Sequence, residues 1–239
     1  MQASTGYSDL AIRVHIAAGE MRLPGELAVV DGARGLVILA AAEANSRQPE
    51  PWPDPLREVA SALNRAGFAT LVFDIVAAEA GVPRREAARF RSDVELYAWR
   101  LLAATDWAAA RANTAGLRVG YFGTGNAAVA ALAAAAERSD RVDAVVSCGG
   151  HAGVIGDQLG RLRVPTLLLV SEHDEPGRRS NEGARALSPA HIQTTEVRGA
   201  GPMLGKPETL NEVTKLARDW FRTHISGASG SEDAAKVVT

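Results

Sequence analysis

The sequence predicts an α/β domain: a doubly wound, mostly parallel sheet with helices on both faces, three layers deep, and an antiparallel N-terminal start. Three observations carry that expectation. Short apolar runs alternate with longer stretches of helical spacing along most of the chain. One run, Val119 to Phe122, passes through a glycine turn straight into an apolar helix. With 239 residues, 46% hydrophobic and 23% charged, the chain suits one large domain that needs no disulfide or metal to hold its core.

The elements follow in order. Val14–Ile16 and Leu27–Val30, around Gly19 and Pro24-Gly25, read as antiparallel strands with turns. Asp31-Gly32 and Gly35 lead into a buried strand, Leu36–Ala40. A helix is predicted over Pro55–Ala66, where Asp54 puts proline at the first helical position and its missing N–H costs nothing. Strands are then expected at Thr70–Phe73, Arg118–Phe122, Val142–Ser147, Pro165–Val170 and Ile192–Val197. Helices are expected at Ser92–Ala112, Asn126–Glu137, Arg178–Ala186 and Pro207–Ile225. Residues 1–225 form one domain in this reading, and the small, polar stretch 226–239 is a disordered tail. Ala41–Trp52 and Val76–Arg91 are long loops, a common place for function in such domains.

Composition narrows the partners. A formal net charge of −2 argues against nucleic acid or an anionic membrane. Cys148 is the one cysteine, so neither an internal disulfide nor a cysteine zinc site can form, and the five histidines lack metal-binding spacing. No metal and no cofactor are expected. No basic segment leads an apolar run at the N-terminus, and the alanine-rich run 127–136 is too short to span a bilayer. The expected location is cytoplasmic.

The informative stretch is Val119 to Leu132, strand to glycine turn to helix. Such a turn serves either a hydrolase nucleophile elbow or a dinucleotide fingerprint. Gly123-Thr124-Gly125-Asn126-Ala127-Ala128 does read as G-x-G-x-x-A. The acid that should end the next strand is missing, however, since that strand closes Val146-Ser147-Cys148.

The pieces ARGLVILA, AGFATLVFD, LLAATDW, VGYFG, RVDAVVSCGG, RVPTLLLVSEHDEP and LARDWF make the chain from about Val14 to His224 resemble the dienelactone-hydrolase-like branch of the α/β-hydrolases. The resemblance implies an ester- or lactone-hydrolysing triad, and the sequence departs from it. Gly125 stands at the nucleophile position, and the loop Arg198–Leu204 has no histidine near Pro202, where the catalytic one is expected. Ala41-Ala42 replaces the His-Gly oxyanion loop, and Asp174 alone remains as the acid. A triad divides labour among nucleophile, base and orienting acid, so this pattern implies a catalytically degenerate member. Its role would be to bind a small molecule in the remnant crevice, or a protein partner, which could be a second copy of itself.

Two other readings stay open: an active hydrolase using Cys148 as nucleophile, with His173 or His151 as base, and dinucleotide binding at Gly123–Ala128. The remaining candidates each have a structural counterpart. Asp74 either contacts a ligand or anchors a loop, Thr124 reads as structural, and Asn126 reads as a helix cap. The arginines of Pro83–Arg91 read as a solvated helix start, and Trp99 and Trp107 as packing residues on one helix face.

Overall fold

The computed structural model describes residues 10–41, 54–75, 94–198, 204 and 206–225. The strands are β1 (Ala11–Ala18), β2 (Met21–Ala28), β3 (Leu36–Ala41), β4 (Ala69–Asp74), β5 (Val119–Thr124), β6 (Val142–Cys148), β7 (Thr166–Ser171) and β8 (Ile192–Val197). The helices are α1 (Asp54–Arg65), α2 (Val94–Ala109), α3 (Asn126–Glu137), α4 (Glu175–Leu187) and α5 (Pro207–His224), with a 3-10 segment at Ala152–Arg161. Both long loops fall mainly in 42–53 and 76–93, and these, with the tail 226–239, lie outside the described residues.

The strands form one sheet in the order β1-β2-β4-β3-β5-β6-β7-β8. β1 and β2 pair antiparallel, as do β2 and β4, and every other pairing is parallel. The apolar runs are continuous in β3 to β7 because those strands are buried on both faces. One face packs against α1 and α5 through Leu56, Val59, Leu63, Val213, Trp220 and Phe221. The other packs against α2 and α3, with the 3-10 segment beside them. After β3 the chain adds β4 on one side and β5 on the other, so a crevice opens at the carboxyl ends of β3 and β5.

The Pro24-Gly25 turn is a correction. Both residues lie inside β2, opposite His15 and Val14, and the turn is made at Gly19-Glu20 instead. Proline is tolerated because the β2–β4 ladder begins only at Gly25, so its missing N–H takes nothing from that pairing. The strand also ends at Ala28, short of Val30. The 3-10 segment had no periodic signal, and its kink at Gly156 (φ 47°) explains why. Of the two tryptophans on α2, Trp107 packs against the core and Trp99 lies at the surface. Trp99 is 44% exposed, and the Arg111 guanidinium covers the half-buried Trp107 ring at 3.8 Å.

Two polar pairs are taken into the interior. Thr105 Oγ1 and the Tyr121 hydroxyl lie 2.6 Å apart between α2 and β5, and burial holds the phenol far above its ordinary titration range. Glu26 of β2 takes two bonds from Arg57 of α1, at 2.8 and 3.1 Å. Removing one partner of such a pair would strand a charge at the interface.

α3 is apolar all round, buried from Ala127 to Ala136, and lies hard against the sheet. A Cβ on Gly123 would stand 2.5 Å from the Ala127 carbonyl oxygen and 2.6 Å from Ala128 Cα. Both neighbours are backbone and cannot swing aside. Gly123→Ala is therefore expected to cost about 3 kcal/mol or more, or to abolish folding, as measured by urea unfolding.

At the opposite edge of the sheet, the His224 ring lies 4.1 Å from Trp220 and 6.0 Å from His191. Burial, with His191 adding to it, lowers the His224 pKa below 6.5. The unfolded chain then takes this proton more readily than the folded one. Stability from this site is complete above about pH 6.5 and is lost as pH falls through the interval down to the folded value. Melting temperatures between pH 7.5 and 5 should fall less steeply for His224→Gln than for the parent.

Candidate active-site crevice

The turn between β5 and α3 places Gly125 at its apex with φ 55° and ψ −123°. This is a region that side-chain-bearing residues enter only at a cost of about 1–3 kcal/mol. It has the form of a strand–turn–helix elbow that lifts one residue above the sheet. The Gly125 N–H is held at 3.0 Å by the Cys148 carbonyl on the adjacent strand. Glycine occupies the apex without strain and offers no hydroxyl.

Asn126 does not take the capping place. Gly125 is the N-cap, no side chain makes the cap bond, and Asn126 is the first helical residue. The reason is geometric: the elbow passes into the helix one residue earlier than an asparagine cap would need. Thr124 ends β5 half-buried, opposite Ala41 of β3 and Cys148 of β6. Ala41 and Asp74 end their strands side by side at the same rim. Ala42 and Pro202 lie outside the described residues. The glycine fingerprint follows a strand and opens a helix, yet the neighbouring β6 ends Ser147-Cys148 and offers no ribose-binding carboxylate.

Cys148 and His173 do not meet in the manner of a nucleophile and its base. The Cys148 thiol packs among Val146, Leu167 and Leu169 in the cluster beneath α1 and α5, away from α3. Burial pushes its pKa up to about 12, so it stays protonated at neutral pH. His173 is exposed, with Nε2 3.5 Å from Glu172 Oε1.

Asp174 does hold a histidine, and it is His151. His151 Nε2 lies 3.0 Å from Asp174 Oδ2. The other carboxylate oxygen accepts the Gly177 N–H at 3.0 Å and so caps α4. Burial alone would raise the Asp174 pKa, but the Gly177 N–H and the His151 ring outweigh it and hold the carboxyl below its ordinary value. Two further bonds fasten the segment after His151 to α4: Ala152 N–H to Asn181 Oδ1 and Gly153 N–H to Ser180 Oγ, both 2.9 Å. The sequence named His151 only as a spare base for Cys148. The signal that could have found it is Gly149-Gly150-His151 directly after β6, where a chain without Cβ atoms runs close to α3.

Since Asp174 both caps α4 and anchors the ring, Asp174→Ala should cost about 1 kcal/mol, or roughly 2–4 °C in Tm. Asp174→Asn should lose less than half of that, because an amide oxygen still caps. Calorimetric melting of both variants checks this.

Among the described residues, no group of three or more His, Cys, Asp or Glu side chains is placed to hold a metal, and no helix is long and apolar enough to cross a membrane. No protein-family model matches the chain. Two curated relatives from Mycobacterium tuberculosis, strains CDC 1551 and H37Rv, are each 42% identical over 218 residues. Both are named as candidate phosphoribosyl transferases. The match covers 91% of this chain and 47% of each relative, so the chain spans about half of their length. Among solved structures, a dienelactone hydrolase from Anabaena variabilis is 33% identical with a TM-score of 0.79, over 90% of this chain and 98% of that one. A dienelactone hydrolase-like promiscuous phosphotriesterase from metagenomic libraries shares the fold at 18% identity and TM-score 0.72, over 91% of this chain and 98% of that one. The eight-stranded sheet, the elbow and an Anabaena relative matched almost end to end agree, and the chain belongs to the dienelactone hydrolase-like branch of the α/β-hydrolases.

Proposed function

We propose that this protein keeps the hydrolase crevice without the family's covalent chemistry, and works by binding. The occupant is a small molecule held at the carboxyl ends of β3, β5 and β6, or a protein partner covering that rim. One observation carries the reading: the apex residue Gly125 keeps the elbow backbone, at φ 55° and ψ −123°, but has no side chain to attack with. An acyl-enzyme needs an oxygen or sulfur nucleophile at that apex. Cys148, the nearest thiol in the sheet, faces the opposite layer and is held protonated. We place the protein in the cytoplasm on the sequence alone.

The name of the mycobacterial relatives does not transfer directly. The half of them that this chain matches has the fold of a hydrolase, and we assign any phosphoribosyl transfer to the remainder of their length. In such an arrangement a binding unit of this kind would serve beside a separate catalytic unit.

The test is intact-mass spectrometry of the protein during exposure to an activated acetate ester, beside Cys148→Ala and Gly125→Ser. No acyl adduct is expected on the parent or on Cys148→Ala. An adduct on the parent that disappears with Cys148→Ala would return the protein to covalent hydrolysis with a displaced nucleophile.

A further inference from the structure

Two histidines and a tryptophan meet at the far edge of the sheet, where β8 begins beside the end of α5. His191 immediately precedes β8, and its carbonyl accepts the Thr166 N–H of β7 at 2.9 Å, which fixes its backbone. Trp220 and His224 stand one turn apart on α5. The ring centroids of His191 and His224 are 6.0 Å apart, and the Trp220 ring lies 4.1 Å from His224 and 5.8 Å from His191.

That separation suits a shared ion. An imidazole nitrogen binds zinc at about 2.0–2.1 Å and its ring centroid lies about 1.2 Å further out, so two rings on one ion stand about 5 to 6.5 Å apart. The 6.0 Å between His191 and His224 falls inside this range with the backbone left in place. What remains is rotation about the side-chain torsions to turn one nitrogen of each ring to the ion.

Both rings are available. Among the described residues, no hydrogen bond or ion pair engages either one. The buried Trp220 Nε1 finds no acceptor there, so neither imidazole spends a nitrogen on it. Burial, with His191 adding to it, lowers the His224 pKa and keeps that ring neutral at neutral pH, with a lone pair to donate. His191 is exposed and His224 half-buried, so an ion and its waters can enter.

The surroundings favour a cation. The pair lies at the carboxyl end of α5, where the helix dipole is negative. Arg218 on the same helix is bonded to Asp219, and Arg222 is two residues from His224 and so faces another side. Imidazole selects late first-row metals over Mg2+ and Ca2+, which prefer oxygen.

We propose that His191 and His224 form a surface site for one divalent late transition-metal ion, Zn2+ or Cu2+, which ties the end of α5 to the start of β8. Water completes the coordination. No metal motif appears in the sequence because the two ligands come from separate elements that meet only in the fold.

The experiment titrates Cu2+ into the untagged full chain at pH 7.5 and follows tryptophan fluorescence, with Zn2+ as competitor and calorimetric melting in Zn2+ alongside. Trp220 is the reporter, because Cu2+ beside its ring quenches it, whereas Trp99 and Trp107 belong to α2 against β1. The expected result is saturable quenching at one ion per chain, displaced by Zn2+, with a higher Tm in Zn2+ than in EDTA. His191→Gln and His224→Gln should each weaken binding about tenfold or more, since even a ligand's hydrogen-bonding partner is commonly worth that much. Trp220→Phe should remove the quenching and keep the melting shift, and His15→Gln on β1 should match the parent. Undiminished affinity in His191→Gln overturns the proposal, and because His191 is exposed that variant keeps its fold. So does quenching that survives Trp220→Phe, which places the ion elsewhere, or a parent with no saturable quenching.

Discussion

The close approach of α3 to the sheet governs much of the rest of the molecule. Ten consecutive positions, Ala127 to Ala136, are buried, and all but Val129 and Leu132 are alanine, so the helix axis sits near β5 and β6 with little side-chain bulk between. At its start the helix backbone meets the sheet backbone so tightly that Gly123 can carry no side chain. The sharp β5–α3 turn, the positive φ at Gly125 and the approach of Gly150 all answer the same constraint. Close packing of this kind propagates shape, because a dense interior leaves no slack to absorb a displaced helix.

From that constraint comes the form of the crevice. An elbow exists to present a side chain, and here it presents none, yet the backbone has kept the geometry. Its strained conformation costs a glycine little, so the elbow holds as a piece of packing with no side chain at its apex. The acid has a similar history in physical terms. Asp174 caps α4, so its place is secured by helix energetics whether or not it serves a triad. A carboxylate kept for one reason is then available to orient any histidine that comes within reach, and the loop after β6 supplies one.

The position of Cys148 illustrates how strand alternation decides chemistry. Neighbouring residues on a strand face opposite layers, so Ser147 turns towards the α3 side while Cys148 turns towards α1 and α5. A shift by one residue would have put the sulfur beneath α3, where Ser147 is also buried. Burial in an apolar layer instead makes it an inert filler and raises its pKa.

Much of the architecture was legible in the sequence. Apolar runs flanked by turn residues located β3 to β7 within about two residues, because strands buried on both faces need unbroken hydrophobicity. The amphipathic or alanine-rich helices were equally plain, and the glycine turn marked the elbow with Gly125 at its apex. Local signals failed where a tertiary partner overrides them. Pro24-Gly25 carries turn chemistry but sits within β2, because β1 on one side and β4 on the other hold the chain extended. The 3-10 segment has no period of its own and is fastened by Asn181 and Ser180, nearly thirty residues later. The partner of Asp174 was hidden for the same reason. His151 is 23 residues away in sequence, and only the parallel pairing of β6 with β7 brings the ends of the two strands together. Residue types and periods by themselves determine which segments become strands, helices and tight turns, since those depend on neighbours a few positions apart. Which side chains then meet across the sheet edge depends on strand order and register, and only the folded chain decides that.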